Sequence, residues 1–173
     1  MPLKLPRIDP KHLEIIVLAT PEKSLTQDEA LRLAAKKGLR LLTNMEVDEL
    51  LNGEGEEWKK YDEAFPCFTS TRVTYNGVKA VVTENGKSEQ MTLPMEYGWY
   101  IPDKYGIPRL AASDYKNPKA RHLFRAEGED CLVVRHRYCF GSERRDVFLF
   151  RPSLWVGVLA TPILENGKIM KKR

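Results

Sequence analysis

Apolar positions follow a helical period twice between Leu25 and Gly53, and an alternating period in several stretches beyond Phe65. The first helical stripe is Ala30, Leu31, Leu33, Ala34 and Ala35, with Arg32, Lys36 and Lys37 outside. The second is Val47, Leu50 and Leu51, with Glu46, Asp48 and Glu49 outside. Both stripes follow the same start signal. Thr26-Gln27-Asp28-Glu29 and Thr43-Asn44-Met45-Glu46 each set a hydroxyl three residues ahead of a glutamate, the pattern of a reciprocal capping box. Leu25 with Ala30, and Leu42 with Val47, stand at the staple positions. Gly38 and Gly53 stand where each helix must stop. Leu39 to Leu42 is too short for a third helix and reads as an extended link.

Ahead of this pair, Pro2, Pro6 and Pro10 make residues 1–11 an extended arm, and Leu13 to Ala19 is an apolar strand. After it, NGEGEEWKKYD (52–62) reads as a polar surface loop whose Trp58 and Tyr61 fold back onto the core. Phe68 to Thr74, Val78 to Thr83 and Ser88 to Leu93 form a three-strand meander joined at Asn76-Gly77 and Asn85-Gly86. Tyr97 to Leu110 holds two prolines and two glycines among aromatics. It reads as a long ordered loop with a short strand at Trp99-Tyr100-Ile101, continued irregularly to Lys119. Cys131 to Phe140 alternates as a strand, turns at Gly141 to Arg144 and pairs back over Val147 to Arg151. Leu154 to Ala160 is a final strand, and residues 165–173 form a basic tail. The expectation is an α+β chain of one domain, residues 1–173: two capped helices on a largely antiparallel sheet with a long irregular loop region.

Composition adds exclusions. No run reaches the ~18 apolar residues of a membrane span. MPLKLPRIDPKH has no apolar stretch of signal-peptide length. The three cysteines, Cys67, Cys131 and Cys139, contain no CxxC pair, which fits a reducing, cytoplasmic setting. Charge is uneven: the +4 total divides into +7 over residues 116–173 and −3 over residues 1–115.

Two surfaces are candidates for recognition. Trp99, Tyr100 and Tyr105 lie in the expected loop, where aromatics on a rigid scaffold build binding sites. They would meet a protein or a small molecule. The alternative is a nucleic-acid face built from Arg121, His122, Arg125, Arg135, Arg137, Arg144 and Arg145, whose guanidinium forks suit phosphate. Its bland counterpart is an ion-pair network with Glu127, Glu129, Asp130, Glu143 and Asp146. A weaker alternative makes His122 or His136 the centre of a small nuclease. His122, Cys131, His136 and Cys139 do not make a zinc set, because His136 and Cys139 project to opposite faces of one strand. Cys131 and Cys139 lie ~26 Å apart along it, too far for a disulfide. No GxSxG, P-loop or GxGxxG motif is present. No catalytic residue, metal site, cofactor or membrane partner is expected.

The run LTQDEALRLAAKKGLRLLTNMEVDELL followed by Phe68-Thr69-Ser70-Thr71 resembles the C-type-lectin-like fold and its formylglycine-generating-enzyme-like relatives. That resemblance covers about residues 13–140. It implies a scaffold with a loop-borne binding surface. The calcium tripeptides, the lectin disulfides and the paired oxidase cysteines of those relatives are missing, so it implies no sugar, calcium or oxidase chemistry.

Overall fold

A computed structural model describes residues 16–19, 25–52, 67–125, 131–135, 145–150, 157–162, 164–165 and 168–169. Within them the chain is α+β. Strand β1 (Ile16–Ala19) is followed by helix α1 (Gln27–Lys36), strand β2 (Leu39–Leu41) and helix α2 (Asn44–Asn52). Strands β3 (Cys67–Asn76), β4 (Lys79–Glu84) and β5 (Lys87–Thr92) form the meander. Then come β6 (Gly98–Pro102), β7 (Pro108–Ser113), β8 (Arg121–Arg125), β9 (Cys131–Arg135), β10 (Asp146–Phe150) and β11 (Gly157–Pro162). The short strands β12 (Leu164–Glu165) and β13 (Lys168–Ile169) pair separately.

One sheet runs β1-β11-β3-β9-β10-β8-β6-β7, with β4 and β5 continuing from β3 and with β2 on β11. Most pairs are antiparallel; β8 with β10 and β3 with β11 are parallel. The sheet encloses its main core. Val73, Tyr75, Ala80, Val82, Met91 and Leu93 of the meander side meet Ile107, Leu123, Val147 and Leu149. A second cluster joins Ala30 and Ala34 of α1 to Leu39, Leu41 and Ala160.

Both expected capping boxes form. Glu29 N donates to Thr26 Oγ1 at 3.1 Å and Thr26 N to Glu29 Oε2 at 3.0 Å. Glu46 N donates to Thr43 Oγ1 at 3.2 Å and Thr43 N to Glu46 Oε1 at 2.9 Å. Gly38 takes a left-handed φ of 70° after α1. The buried stripe of α1 is narrower than its apolar pattern. Gln27, Ala30 and Ala34 are buried, while Leu31 is 39% exposed and Ala35 is exposed. In α2, Asp48 faces inward and is buried, against its expected place outside. The link Leu39–Leu41 is a strand on β11.

The meander turns differ in type. Asn85 and Gly86, with φ of 52° and 74°, sit between the paired Glu84 and Lys87, as a type I′ turn requires. At the other turn Asn76 pairs with Lys79, so the central residues are Gly77 and Val78, one step on from the expected Asn-Gly. Only Gly77 has positive φ there, at 60°.

Residues 98–113 correct the expected loop. They form a hairpin of β6 and β7, with Pro102 opposite Pro108 and a register shift before them. Asp103 organises its tip. Its Oδ1 accepts from Tyr105 N at 2.8 Å and Ile107 N at 3.0 Å, and its Oδ2 from Arg109 Nε at 2.6 Å. Arg121–Arg125, given no element from the sequence, is strand β8 between β6 and β10. The expected Cys131–Phe140 strand is seen as β9, pairing back with β10. Positions 1–11, Leu13, Trp58, Tyr61, 136–144 and 171–173 lie outside the described residues.

Gly77→Ala and Gly106→Ala separate two kinds of glycine. An added Cβ at Gly77 meets nothing within 4 Å, so only the left-handed backbone resists it, at about 1 kcal/mol. At Gly106, also left-handed at φ +74°, the Cβ would stand 2.6 Å from Asn44 Nδ2. Urea unfolding should show Gly106→Ala destabilising by a further ~1 kcal/mol or more, because Asn44 must also move. Equal losses would refute the close approach.

Candidate binding face on β6, β8 and β10

Strand β8 sends alternate side chains to two environments. Arg121 and Leu123 point inward; His122 and Phe124 point outward. Trp99 of β6 stands opposite His122 and belongs to the same outer face. The result is a row of rings. Trp99 stacks on His122 with centroids 4.8 Å apart and planes 16° apart. His122 meets Phe124 edge-on at 4.2 Å, and Phe124 meets Tyr97 at 6.0 Å. These separations lie in or just below the favourable aromatic range. Arg145, just before β10, lays its guanidinium 4.4 Å from the Trp99 centroid. Tyr97, at one end of the row, is 64% exposed, and Tyr115, in the loop that Arg145 holds, is 62% exposed.

That loop, residues 114–120, is held at three carbonyls by one side chain. Arg145 donates from Nη1 to Tyr115 O at 2.7 Å, from Nη2 to Asn117 O at 2.6 Å and from Nε to Ala120 O at 3.0 Å. Burial and the nearby Arg121 charge push the Arg145 pKa down. Asp114 and Asn117 also accept from backbone N–H groups two residues on, as in Asx turns.

The buried side of β8 is ionic. Arg121 donates from Nε and Nη2 to the two carboxylate oxygens of Asp48, at 2.8 and 3.1 Å. Its Nη1 donates to Pro118 O and Ala120 O. Both residues are buried, so the fork must be complete for burial to be tolerable. Arg125 lies over the Tyr75 ring at 4.5 Å and donates to Pro94 O at 2.6 Å and to Gly77 O, tying the meander turn to β8.

The candidate residues therefore divide. Trp99 belongs to the row. Tyr100 and Tyr105 do not join it: both pack against the main core, with their hydroxyls donating to Glu96 O and to Glu89 Oε2 at 2.6 Å. His122 is at the centre of the row and Arg145 at its end, while Arg121 and Arg125 are engaged by the protein's own acceptors. Arg135 lies in β9, opposite Val147. Arg137, Arg144 and His136 lie outside the described residues. Tyr97 and Tyr115 were not singled out from sequence. Tyr97 and Phe124 carry the alternation that would place them beside Trp99 and His122, once β8 is recognised as a strand.

His122 is half-buried, and this desolvation pushes its pKa below the usual histidine value. The buried Asp146 carboxylate opposes that, but Oδ1 is 3.5 Å from Nδ1, beyond a good hydrogen bond, and burial among rings prevails. At neutral pH the row presents an uncharged imidazole. Among the described residues, no group of three or more His, Cys, Asp or Glu side chains converges on a metal site. A separate open groove of about 710 Å³ crosses the outer face of the meander, lined by Thr74, Asn76, Lys79, Val81, Gln90 and Thr92. It is open and mainly apolar, with Tyr75, Ala80 and Met91 also in its lining. No described helix is long and apolar enough to cross a membrane. Comparison with protein-family models, curated proteins and solved structures finds no match to this chain.

Asp48→Ala should destabilise by about 3–5 kcal/mol in denaturant titrations, because it leaves the buried Arg121 charge without its counter-ion. Adding Arg121→Met should recover part of that loss; no recovery would show that the charge is not the cause. A proton NMR titration should place His122 below pH ~6.5. The unfolded histidine then takes its proton before the folded one. Wild-type stability should fall, relative to His122→Phe, as pH drops from about 6.5 through the folded value. A folded value above the ordinary one would overturn the desolvation argument.

Proposed function

We propose that the protein is a non-catalytic binding module whose recognition surface is the outer ring row Tyr97, Phe124, His122 and Trp99, with Tyr115 at its rim. The observation that supports this most is the gradient of exposure along the row. The central rings are held in mutual contact on the sheet, and the flanking tyrosines stand more than half exposed. Stacked, rigid rings offer large contact area with little ordering cost. The chemistry offered is a flat, uncharged ring face. It suits a planar group: a heteroaromatic small molecule or an aromatic side chain of a protein partner.

Single-stranded nucleic acid is the second reading. It is favoured by Lys116 and Lys119, exposed in the same loop as Tyr115, since stacking platforms beside cations bind bases and backbone together. Arg121, Arg125 and Arg145 do not add to it, because they already donate to carboxylate or carbonyl oxygens. The C-type-lectin-like resemblance enters only as a proposal about the scaffold, and a cytoplasmic setting rests on cysteine usage.

Planar heteroaromatic fragments, screened by NMR, should shift the Trp99 indole and His122 ring signals. Tyr97→Ala with Tyr115→Ala should weaken the binders about tenfold or more, the scale of one or two lost stacking contacts, with little change in Tm. Fluorescence anisotropy with labelled single-stranded DNA and RNA at two salt concentrations tests the second reading: a steep log–log salt slope favours it. Fragment shifts confined to other surfaces, or affinity unchanged in the double variant, would overturn the ring row as the site.

A further inference from the structure

Of the methionines, Met45, Met91 and Met95 lie among the described residues. Met45 is half-buried, and Met91 belongs to the main core. Met95, between β5 and β6, is 61% exposed. It also has a fixed neighbour. Arg125 donates from Nη1 to Pro94 O at 2.6 Å and from Nη2 to Gly77 O, and its guanidinium lies over the Tyr75 ring. The remaining N–H of Nη1 reaches Met95 Sδ at 3.8 Å. The guanidinium is therefore placed by other partners and does not follow the sulfur about. A thioether carries lone pairs on both sides of its C–S–C plane and accepts weakly through either. Arg125 stands on one of these sides. The exposure of Met95 leaves the other to solvent.

We propose that Met95 is a reversible oxidation site, at which hydrogen peroxide acts from one side of the sulfur and leaves a single sulfoxide epimer. The solvent-facing lone pair attacks one oxygen of the peroxide. The S–O bond forms as the O–O bond breaks. The departing hydroxide takes the proton of the transferred oxygen and leaves as water. The sulfur loses two electrons, and the peroxide gains them. Approach from the Arg125 side is closed, because the peroxide would have to displace a donor that Pro94 O, Gly77 O and the Tyr75 ring hold in place. The product is polar and chiral, and each sulfoxide epimer is restored by its own reductase. A mixture of epimers needs both reductases for full repair. A single epimer needs one, so one enzyme can clear the mark from every copy of the chain.

Peptide mapping by mass after graded hydrogen peroxide tests the site. Met95 should oxidise well ahead of Met45 and Met91; equal rates at the three would overturn the assignment. The digest is then divided between the two stereospecific methionine sulfoxide reductases. One should clear nearly all the Met95 sulfoxide and the other nearly none. Protein oxidised in urea should instead give about half to each. A near-equal division in the folded protein overturns one-sided attack, and so does a single epimer that persists in urea. Arg125→Lys keeps a cation but loses the fork that reaches Gly77, Pro94 and the sulfur. It should bring the division towards equality, with Met95 still the first to oxidise. A folded Arg125→Lys protein that still yields one epimer shows that the guanidinium is not the cause. Should that variant fail to fold, the comparison of folded with urea-treated wild type decides alone. These readouts do not depend on the ring row, whose loss would leave the Met95 peptide unchanged.

Discussion

A break in β3 is the constraint on which the rest depends. Phe68 pairs with Val134 and Arg72 with Leu132, so Thr69, Ser70 and Thr71 stand against Val133 alone. The segment is buried at Thr69 and Thr71, and backbone groups released from a ladder cannot be left without partners there. Helix α1 and the link ahead of α2 supply partners, and the Thr71 hydroxyl accepts from the start of α2. Gln27 Nε2 donates to Thr69 O at 2.8 Å, Ser70 N donates to Leu42 O at 2.9 Å, and Asn44 N donates to Thr71 Oγ1 at 3.0 Å. The helices are thus docked by a directional polar requirement, with the small Ala30–Ala34 surface closing the seam. This also explains why a glutamine occupies a buried position in α1.

From that break the constraint is passed outward. Thr71 Oγ1 donates to Glu84 at 2.8 Å, and burial raises the Glu84 pKa. Asn44 reaches Tyr105 O at 2.8 Å, where Gly106 leaves room, so the start of α2 holds the tip of the β6–β7 hairpin. Further along α2, Asp48 holds Arg121. Because neighbouring residues of a strand face opposite ways, fixing Arg121 inward fixes His122 outward. The ring row is thereby registered by a buried ion pair on the other side of the same strand.

What could be read in the chain was what is local. Both capping boxes are three-residue signals, and both form. The Asn-Gly dipeptides marked both meander turns, although at the first only the glycine needed positive φ and the turn moved on by one. The hairpin at 98–113 was hidden because its prolines sit at the closing pair and its tip is built by one aspartate side chain. Strand β8 was hidden because its basic residues look like surface. Asp48 and Arg121 are 73 positions apart, and neither shows its partner in its own neighbourhood. For the candidate site, Trp99, His122 and Arg145 were legible as types of residue. Their convergence depends on the parallel pairing of β8 with β10, which no local pattern encodes.

The grip of Arg145 on the 114–120 loop bears on the thermodynamics of any encounter there. Carbonyls of Tyr115, Asn117 and Ala120 are tied to a single guanidinium, itself seated on Trp99. The conformational entropy of that loop is therefore surrendered when the chain folds, not when a ligand arrives. A molecule settling against Tyr115 has only a side-chain rotor left to immobilise, a penalty of about 0.5–1.5 kcal/mol. Any affinity at this surface would be preorganised by the fold, and loosening the clamp would then be felt as weaker binding even though Arg145 need not touch what is bound.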